Sequence, residues 1–383
     1  MGRHFLQIPG PTNVPDRVLR AIDQPTIDHR GPAFARLCHE VLDGMQEIFR
    51  TDGPVVIYPS SGTGAWEAAL VNTLSPGDRV LAFETGHFAT LWRAMAERLG
   101  LDVAWVPGDW RHGADPATAG AMLRADPSIR AVMVVHNETS TGVTSRVPEI
   151  RAAMDAAGSE ALLLVDTISS LGSIDYRHDE WGVDVTVGCS QKGLMLPPGL
   201  GFNAVSARAL EAARSARLPR SYWDWAPIVE ANENGFWPYT SATNLLYGLR
   251  EALAMLREEG LDNVFARHAR HAAATRTAVE AWGLEVLCLD EREHSAALTA
   301  VVAPDADEVR RIILERFDMS LGAGLGKVAG TVFRIGHLGD FNDLMLAGTL
   351  CGVEMGLRIA GVPVAGSGVE AALALLEREP VPV

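Results

Sequence analysis

Between residues 55 and 166 short apolar runs alternate, across turns, with stretches that carry apolar residues at helical spacing, with no internal sequence repeat. Strands are predicted at 55–58, 79–83, 102–106, 131–136 and 161–166, with helices over 65–74, 89–99, 116–125 and 148–157 between them. A strand that is followed by a helix rejoins its sheet by a crossover, so this alternation predicts a largely parallel sheet with helices on both faces. A further helix, 33–50, precedes this segment. The chain is also too long, at 383 residues, for one simple core. After a helix at 205–217 comes an aromatic, Pro- and Asn-rich stretch (219–242) that reads as a long irregular loop. A helix over 244–259 then leads into a second set of elements, with helices at 264–282, 306–317 and 340–360 and strands near 284–289, 297–302 and 332–335. The expected organisation is an N-terminal arm (1–20), a large α/β domain (21–258) and a smaller C-terminal α+β domain (259–383). In the arm, Pro9-Gly10-Pro11-Thr12 must be a turn or extended loop.

The segment 181–199 carries the sharpest chemical signal. An alternating run (Val183, Val185, Val187) reads as a buried strand and passes through Cys189-Ser190-Gln191 to Lys192; Gly193 and Pro197-Pro198-Gly199 stop any long helix after it. Of 33 Lys and Arg residues only two are lysines, Lys192 and Lys327. An exposed cationic position accepts either type, whereas Arg can neither lose its proton in a protein nor form a Schiff base. A lone lysine has an ordinary reading as surface. One at a strand end, in a Gly/Pro-rich loop of an α/β fold, stands where such folds place their ligands.

Composition narrows the partners. A net charge of −15 with no basic cluster argues against nucleic acid and anionic membranes. The four cysteines are scattered with no CxxC pair, which argues against a zinc site or a disulfide framework and fits a reducing cytoplasm. No metal is expected. The N-terminus lacks an apolar signal core, and no apolar run is long enough to span a bilayer.

Other motifs are two-sided. Asp166 closes an apolar run, either as a loop-start cap or as a carboxylate needing a cationic partner on the sheet edge shared with Lys192. Ser61-Gly62-Thr63-Gly64 between a strand and a helix is either a turn and cap or an anion cup at a helix N-terminus. Gly322-Ala323-Gly324-Leu325-Gly326-Lys327 imitates a P-loop but lacks its first Gly and its Ser/Thr, and reads as a mobile loop. His268 and His271 share an Arg-rich helix and read as a solvated face rather than a metal site. No GxSxG nucleophile elbow occurs. Arg334 interrupts the apolar run 332–335; a half-buried Arg without an acidic partner suits a substrate carboxylate.

A near-unique lysine, a strand-end Asp, a phosphate-type loop and a partnerless Arg together suit pyridoxal phosphate, which needs a Schiff-base lysine, a carboxylate for its ring nitrogen and a phosphate site. With PGPTNVP (9–15), PSSGTGAWEAALVNTLSPGD (59–78), VVHNETSTGV (134–143), LLLVDTISSLGS (162–173), GCSQKGLMLPPGLG (188–201), WPYTSATNLLYGLREAL (237–253) and VFRIGHLGD (332–340), the sequence resembles the class V (fold type I) aminotransferases over nearly its whole length, closest to the serine–glyoxylate and alanine–glyoxylate group.

That resemblance implies pyridoxal 5′-phosphate as cofactor. Lys192 would carry it and Asp166 would pair with its ring nitrogen. Phe88 would stack on the ring, with Thr139 and Ile168 beside it. Ser61, Gly62, Thr63 and Gln191 would hold the phosphate, and Arg334 would grip the substrate carboxylate. Tyr239 and Thr240 would reach the phosphate of a second subunit, making a homodimer with shared sites; Trp237 is the other aromatic available for that contact. The implied reaction moves the amino group of a small L-amino acid, serine by preference, to glyoxylate, giving hydroxypyruvate and glycine. Aspartate–glyoxylate and alanine–glyoxylate exchange are the alternatives, and Arg30 is a conceivable second cation for aspartate.

Overall fold

In the computed structural model, which describes residues 4–378, the alternating segment 55–166 supplies five strands of a seven-stranded sheet. Residues 1–3 of the expected arm and 379–383 of the expected second domain lie outside the described residues. In chain order the strands are β1 (Phe5–Gln7), β2 (Val55–Ser60), β3 (Arg79–Phe83), β4 (Asp102–Val106), β5 (Ile129–Val135), β6 (Asn137–Glu138), β7 (Val143–Thr144), β8 (Leu162–Asp166), β9 (Val185–Cys189), β10 (Gly199–Val205), β11 (Glu285–Val286), β12 (Leu298–Val302), β13 (Met319–Ala323) and β14 (Val332–Gly336). The large sheet runs β2-β10-β9-β8-β5-β3-β4. Its pairs from β9 to β4 are parallel, and β10 is antiparallel to both neighbours.

Every residue of β8 is buried. A strand covered on both faces must be apolar throughout, which is why 161–165 show no alternation. One face packs on helices Pro32–Phe49, Gly62–Thr73 and Thr243–Glu259, the other on Pro116–Ala125 and Val147–Ala156. In register, Asp166 at the end of β8 lies opposite Val187 of β9. The carboxyl ends of both strands therefore open on one edge, and Lys192 follows just beyond β9.

A second, five-stranded sheet has the order β1-β13-β14-β12-β11. Helices Leu261–Ala281, Ala306–Phe317, Asp343–Ile359 and Gly368–Leu376 enclose its core with Phe333 and Ile335. Strand alternation then sends Arg334 to the opposite face. Among the described residues, no helix is long and apolar enough to cross a membrane.

The structure departs from the sequence reading at several elements. The arm supplies β1, which pairs in parallel with β13, and helix Asp16–Ile22 begins within it. The Gly/Pro stretch after Lys192 gives β10; its Gly201 disguises a strand, because a Cβ there would lie 2.7 Å from the Ser61 carbonyl oxygen. Helix Trp225–Glu233, capped by Asp224, interrupts the expected loop. The first part of the expected Gly322–Gly330 loop belongs to β13 and continues into a 3₁₀ turn at Gly326–Val328. Finally, Ser367 caps an unanticipated helix, Gly368–Leu376.

Candidate active site

At the carboxyl edge of the large sheet a cavity is lined by Ser61, Gly62, Thr63, Phe88, Thr139, Asp166, Ile168, Gln191 and Lys192. Trp66, Asn137, Gly10 and Pro11, which sequence reasoning did not select, complete the wall. Lys192 is 8% exposed. Its Nζ donates to the Pro9 carbonyl at 2.6 Å. Thr12 ties the arm down: its N–H donates to Gln191 O at 3.1 Å and its hydroxyl to Lys192 O at 3.0 Å. Gly10, at φ +111°, lies flat on the lysine, and a Cβ there would sit 2.4 Å from Lys192 Cδ. This is a position only glycine fills. The PGPT motif was the signal that could have placed the arm here. Burial pushes the Lys192 ammonium down to about 8, with the neighbouring Arg334 adding to it against Cys189 and Asp166.

Asp166 is buried, and its carboxylate accepts from Ile168 N–H at 2.6 Å and from Trp66 Nε1 at 3.0 Å. Burial pushes its pKa up to about 7; these two bonds and Lys192 oppose that, whereas the Glu138 charge reinforces it. Trp66 is held in place by stacking on Trp92, with ring centroids 5.9 Å apart. Ile168 also closes the cavity floor, where a Cβ on Gly62 would lie 2.3 Å from its Cδ1.

Helix Gly62–Thr73 points its N-terminus at the cavity. Ser61 occupies the cap position in extended backbone but caps nothing with its side chain. Such an end favours an anion. Gln191 leaves its Oε1 buried without a hydrogen-bond partner. Because amide oxygen and nitrogen exchange by a flip, that buried end suits either a donor or an acceptor in the cavity. On the far wall the buried Glu138 accepts from the N–H groups of Phe88 (3.3 Å), Ala89 (3.0 Å) and Ser140 (3.0 Å), fixing the start of helix His87–Arg98 and thereby Phe88. Thr139 and Asn137 both bond Ser169 Oγ, each at 2.8 Å.

Three expected site residues do not line this cavity. Arg334 is 7% exposed and donates to the carbonyls of Ala323 (2.8 Å) and Thr139 (2.6 Å). It makes no ion pair among the described residues, and burial pushes its guanidinium down to about 10. It is joined to the cavity wall through Thr139. Tyr239 stacks on Tyr222 at 4.9 Å, and Thr240 faces a separate groove with Thr26, Ile27 and His29. Trp237 is committed to the core: it is 3% exposed and its Nε1 donates to Ile57 O at 3.0 Å. The reading of His268 and His271 as a solvated face is corrected, since both are buried. His268 accepts from Gly339 N–H at 3.0 Å, and His271 bonds Asp343 at 2.9 Å. Their helix packs on the second sheet's core with its histidines inward, so its arginine content misled.

The family described as aminotransferase class-V matches residues 4–320. The chain belongs to that family. This class-V aminotransferase is 50% identical over 392 residues to the serine–glyoxylate aminotransferase of Methylorubrum extorquens, covering 99% of this chain and 98% of that protein. It is 45% identical over 372 residues to the L-aspartate–glyoxylate aminotransferase of Paracoccus denitrificans, covering 95% and 94%. The crystal structure of pyridoxamine–pyruvate aminotransferase from Mesorhizobium loti has the same fold, with a TM-score of 0.92 at 30% identity over 98% of this chain and 97% of that one.

Proposed function

We propose that this aminotransferase holds pyridoxal 5′-phosphate in the cavity around Lys192. There it moves the amino group of a small L-amino acid, serine by preference, to glyoxylate, leaving hydroxypyruvate and glycine. One observation carries the cofactor assignment: a buried lysine with a depressed pKa shares a cavity with a buried carboxylate braced by two N–H donors. The donor preference rests on similarity to serine–glyoxylate relatives.

The residues fit the group. The uncapped helix end at Ser61, Gly62 and Thr63, with the unpartnered Gln191 amide, suits a phosphate. Phe88, fixed by Glu138, suits stacking on one ring face; Thr139 and Ile168 border the same space. Bound pyridoxal phosphate supplies an aldehyde for amines and a ring that withdraws electrons from the substrate α-carbon. Asp166 would pair with the ring nitrogen of the bound cofactor, and a cation there would favour its ionised form. Lys192 Nζ, as the free amine, would take the α-proton and return it. Arg334, tied behind the cavity wall through Thr139, would grip the substrate carboxylate in a two-pronged contact. Tyr239 and Thr240, away from this chain's own cavity, serve the site of a second copy in a homodimer. The arm, large domain (21–258) and small domain (259–383) form the working units, with β1 of the arm fastened to the small one. Scattered cysteines support a cytoplasmic setting.

Comparing kcat/KM for serine, alanine and aspartate against glyoxylate tests the donor. Serine is expected to lead. A lead for aspartate would install the second reading, which the Paracoccus relative favours and for which Arg30 is an exposed cation.

A further inference from the structure

Lys327, the second of the two lysines, sits in the 3₁₀ turn Gly326–Val328 between β13 and β14. Its Nζ pairs with Glu84 and lies 5.6 Å from the centre of the Trp110 ring. The Glu84 carboxylate is the focus of three donors: Lys327 Nζ, Trp110 Nε1 at 3.1 Å and Gly108 N–H at 3.4 Å. Only 12% of the Glu84 side chain is exposed. Trp110 is buried against Val328 of that turn and Val332 and Ala300 of the second sheet, although it belongs to the loop after β4. Gly326 closes the seam: a Cβ there would lie 2.7 Å from Trp110 Cη2 and 3.3 Å from His87 Nδ1.

Two ends of the seam lead to the site. Glu84 directly follows β3, and four residues on stands Phe88, on the cavity wall. On the other side, Arg334 follows from the Lys327 turn in β14 and bonds Ala323, where that turn begins, as well as Thr139 of the cavity. The loop that carries Lys327 is therefore pinned between the segment bearing the ring-stacking aromatic and the strand bearing the guanidinium.

We propose that Lys327, Glu84 and Trp110 form a latch that holds the β13–β14 loop, and with it Arg334, in register with the cavity; Lys327 and Glu84 are positioning residues for substrate carboxylate binding. This deepens the reading given under Proposed function and rests on it. An exposed ammonium alone contributes little. Here its acceptor is mostly buried and shared with an indole N–H, so removal leaves a carboxylate short of a charged donor. The loss should register as weaker binding of every substrate that Arg334 grips, amino donor and oxo acid alike.

The experiment compares the holoenzyme with K327M, K327R, E84Q and the K327M/E84Q double variant. K327M is expected to raise KM for donor and for glyoxylate together by about three- to ten-fold, with kcat and the cofactor absorbance band little changed. K327R should recover most of the loss, and the double variant should be no worse than the poorer single one. Hydrogen exchange supplies a readout besides activity: amides over 324–331 should exchange faster in K327M, with the large-sheet core unaffected. Unchanged KM for both substrates, strictly additive K327M and E84Q effects, or unaltered exchange at 324–331 would each overturn the latch. If the unmodified protein proves inactive with amino donors, the functional reading fails and the exchange comparison alone decides whether the latch exists.

Discussion

Replacing Lys192 by methionine is expected to make the cofactor-free protein more stable. The magnitude follows from the lysine's environment. Burial lowers its pKa from 10.5 to about 8. Since each tenfold change in a protonation equilibrium corresponds to ~1.4 kcal/mol, holding the ammonium in the folded state costs about 3 kcal/mol. Methionine fills similar space without a charge but gives up the ammonium's bond to the Pro9 carbonyl, worth roughly 1.5–3 kcal/mol for a charged donor. A gain of up to about 1.5 kcal/mol at pH 7 should remain, at the expense of all activity. The pH dependence fixes the sign. Below pH 8 Lys192 is protonated whether folded or unfolded, so the penalty is fully present. Between pH 8 and 10.5 the unfolded chain keeps a proton that the folded chain has released, so the unmodified protein gains stability and the advantage of methionine shrinks. Urea-denaturation midpoints of both cofactor-free proteins, at one fixed protein concentration and at pH 7 and pH 10, make the comparison. A Lys192→Met protein less stable than the parent at pH 7, or a difference that widens toward pH 10, would refute the reasoning.

Two further substitutions probe the walls of the cavity. Gly62→Ala places a Cβ 2.3 Å from Ile168 Cδ1; overpacking of this kind costs about 1–3 kcal/mol, and a titration of the apo-protein should also show weaker cofactor binding. Full cofactor affinity in that variant would remove Gly62 from the cup. Arg334→Lys cannot reproduce a two-pronged carboxylate contact. With a charged hydrogen bond worth roughly 1.5–3 kcal/mol, KM should rise about ten-fold or more. An unchanged KM for donor and glyoxylate would make Arg334 a purely structural tie between Ala323 and Thr139.

The parallel sheet was legible because its central strands are largely apolar and most of its helices carry an apolar stripe; β3, β4 and β8 fall where their apolar runs do. Lys192 and Asp166 meet because adjacent parallel strands end on one edge, which strand order alone allows one to expect. What escaped has a shared cause, contact between segments distant in sequence. Gly201 looks like a loop residue until the Ser61 backbone is laid against it, so β10 was hidden. Pro9 and Gly10 look like a free arm until β1 joins β13 and draws them over Lys192. Trp66 reads as one more apolar helix residue, since nothing local shows that its indole N–H serves Asp166. The inward face of the His268 helix was misjudged because its arginines find partners such as Asp343 rather than water.

Borohydride reduction of the cofactor-loaded protein, followed by peptide mapping, tests the central claim most directly, because only two lysines can be labelled and they lie in well-separated peptides. Pyridoxyl label on Lys192, in stoichiometric amount and absent from a Lys192→Ala variant, is the predicted result. Label on Lys327, or a protein that takes up no pyridoxal phosphate at all, would contradict the account.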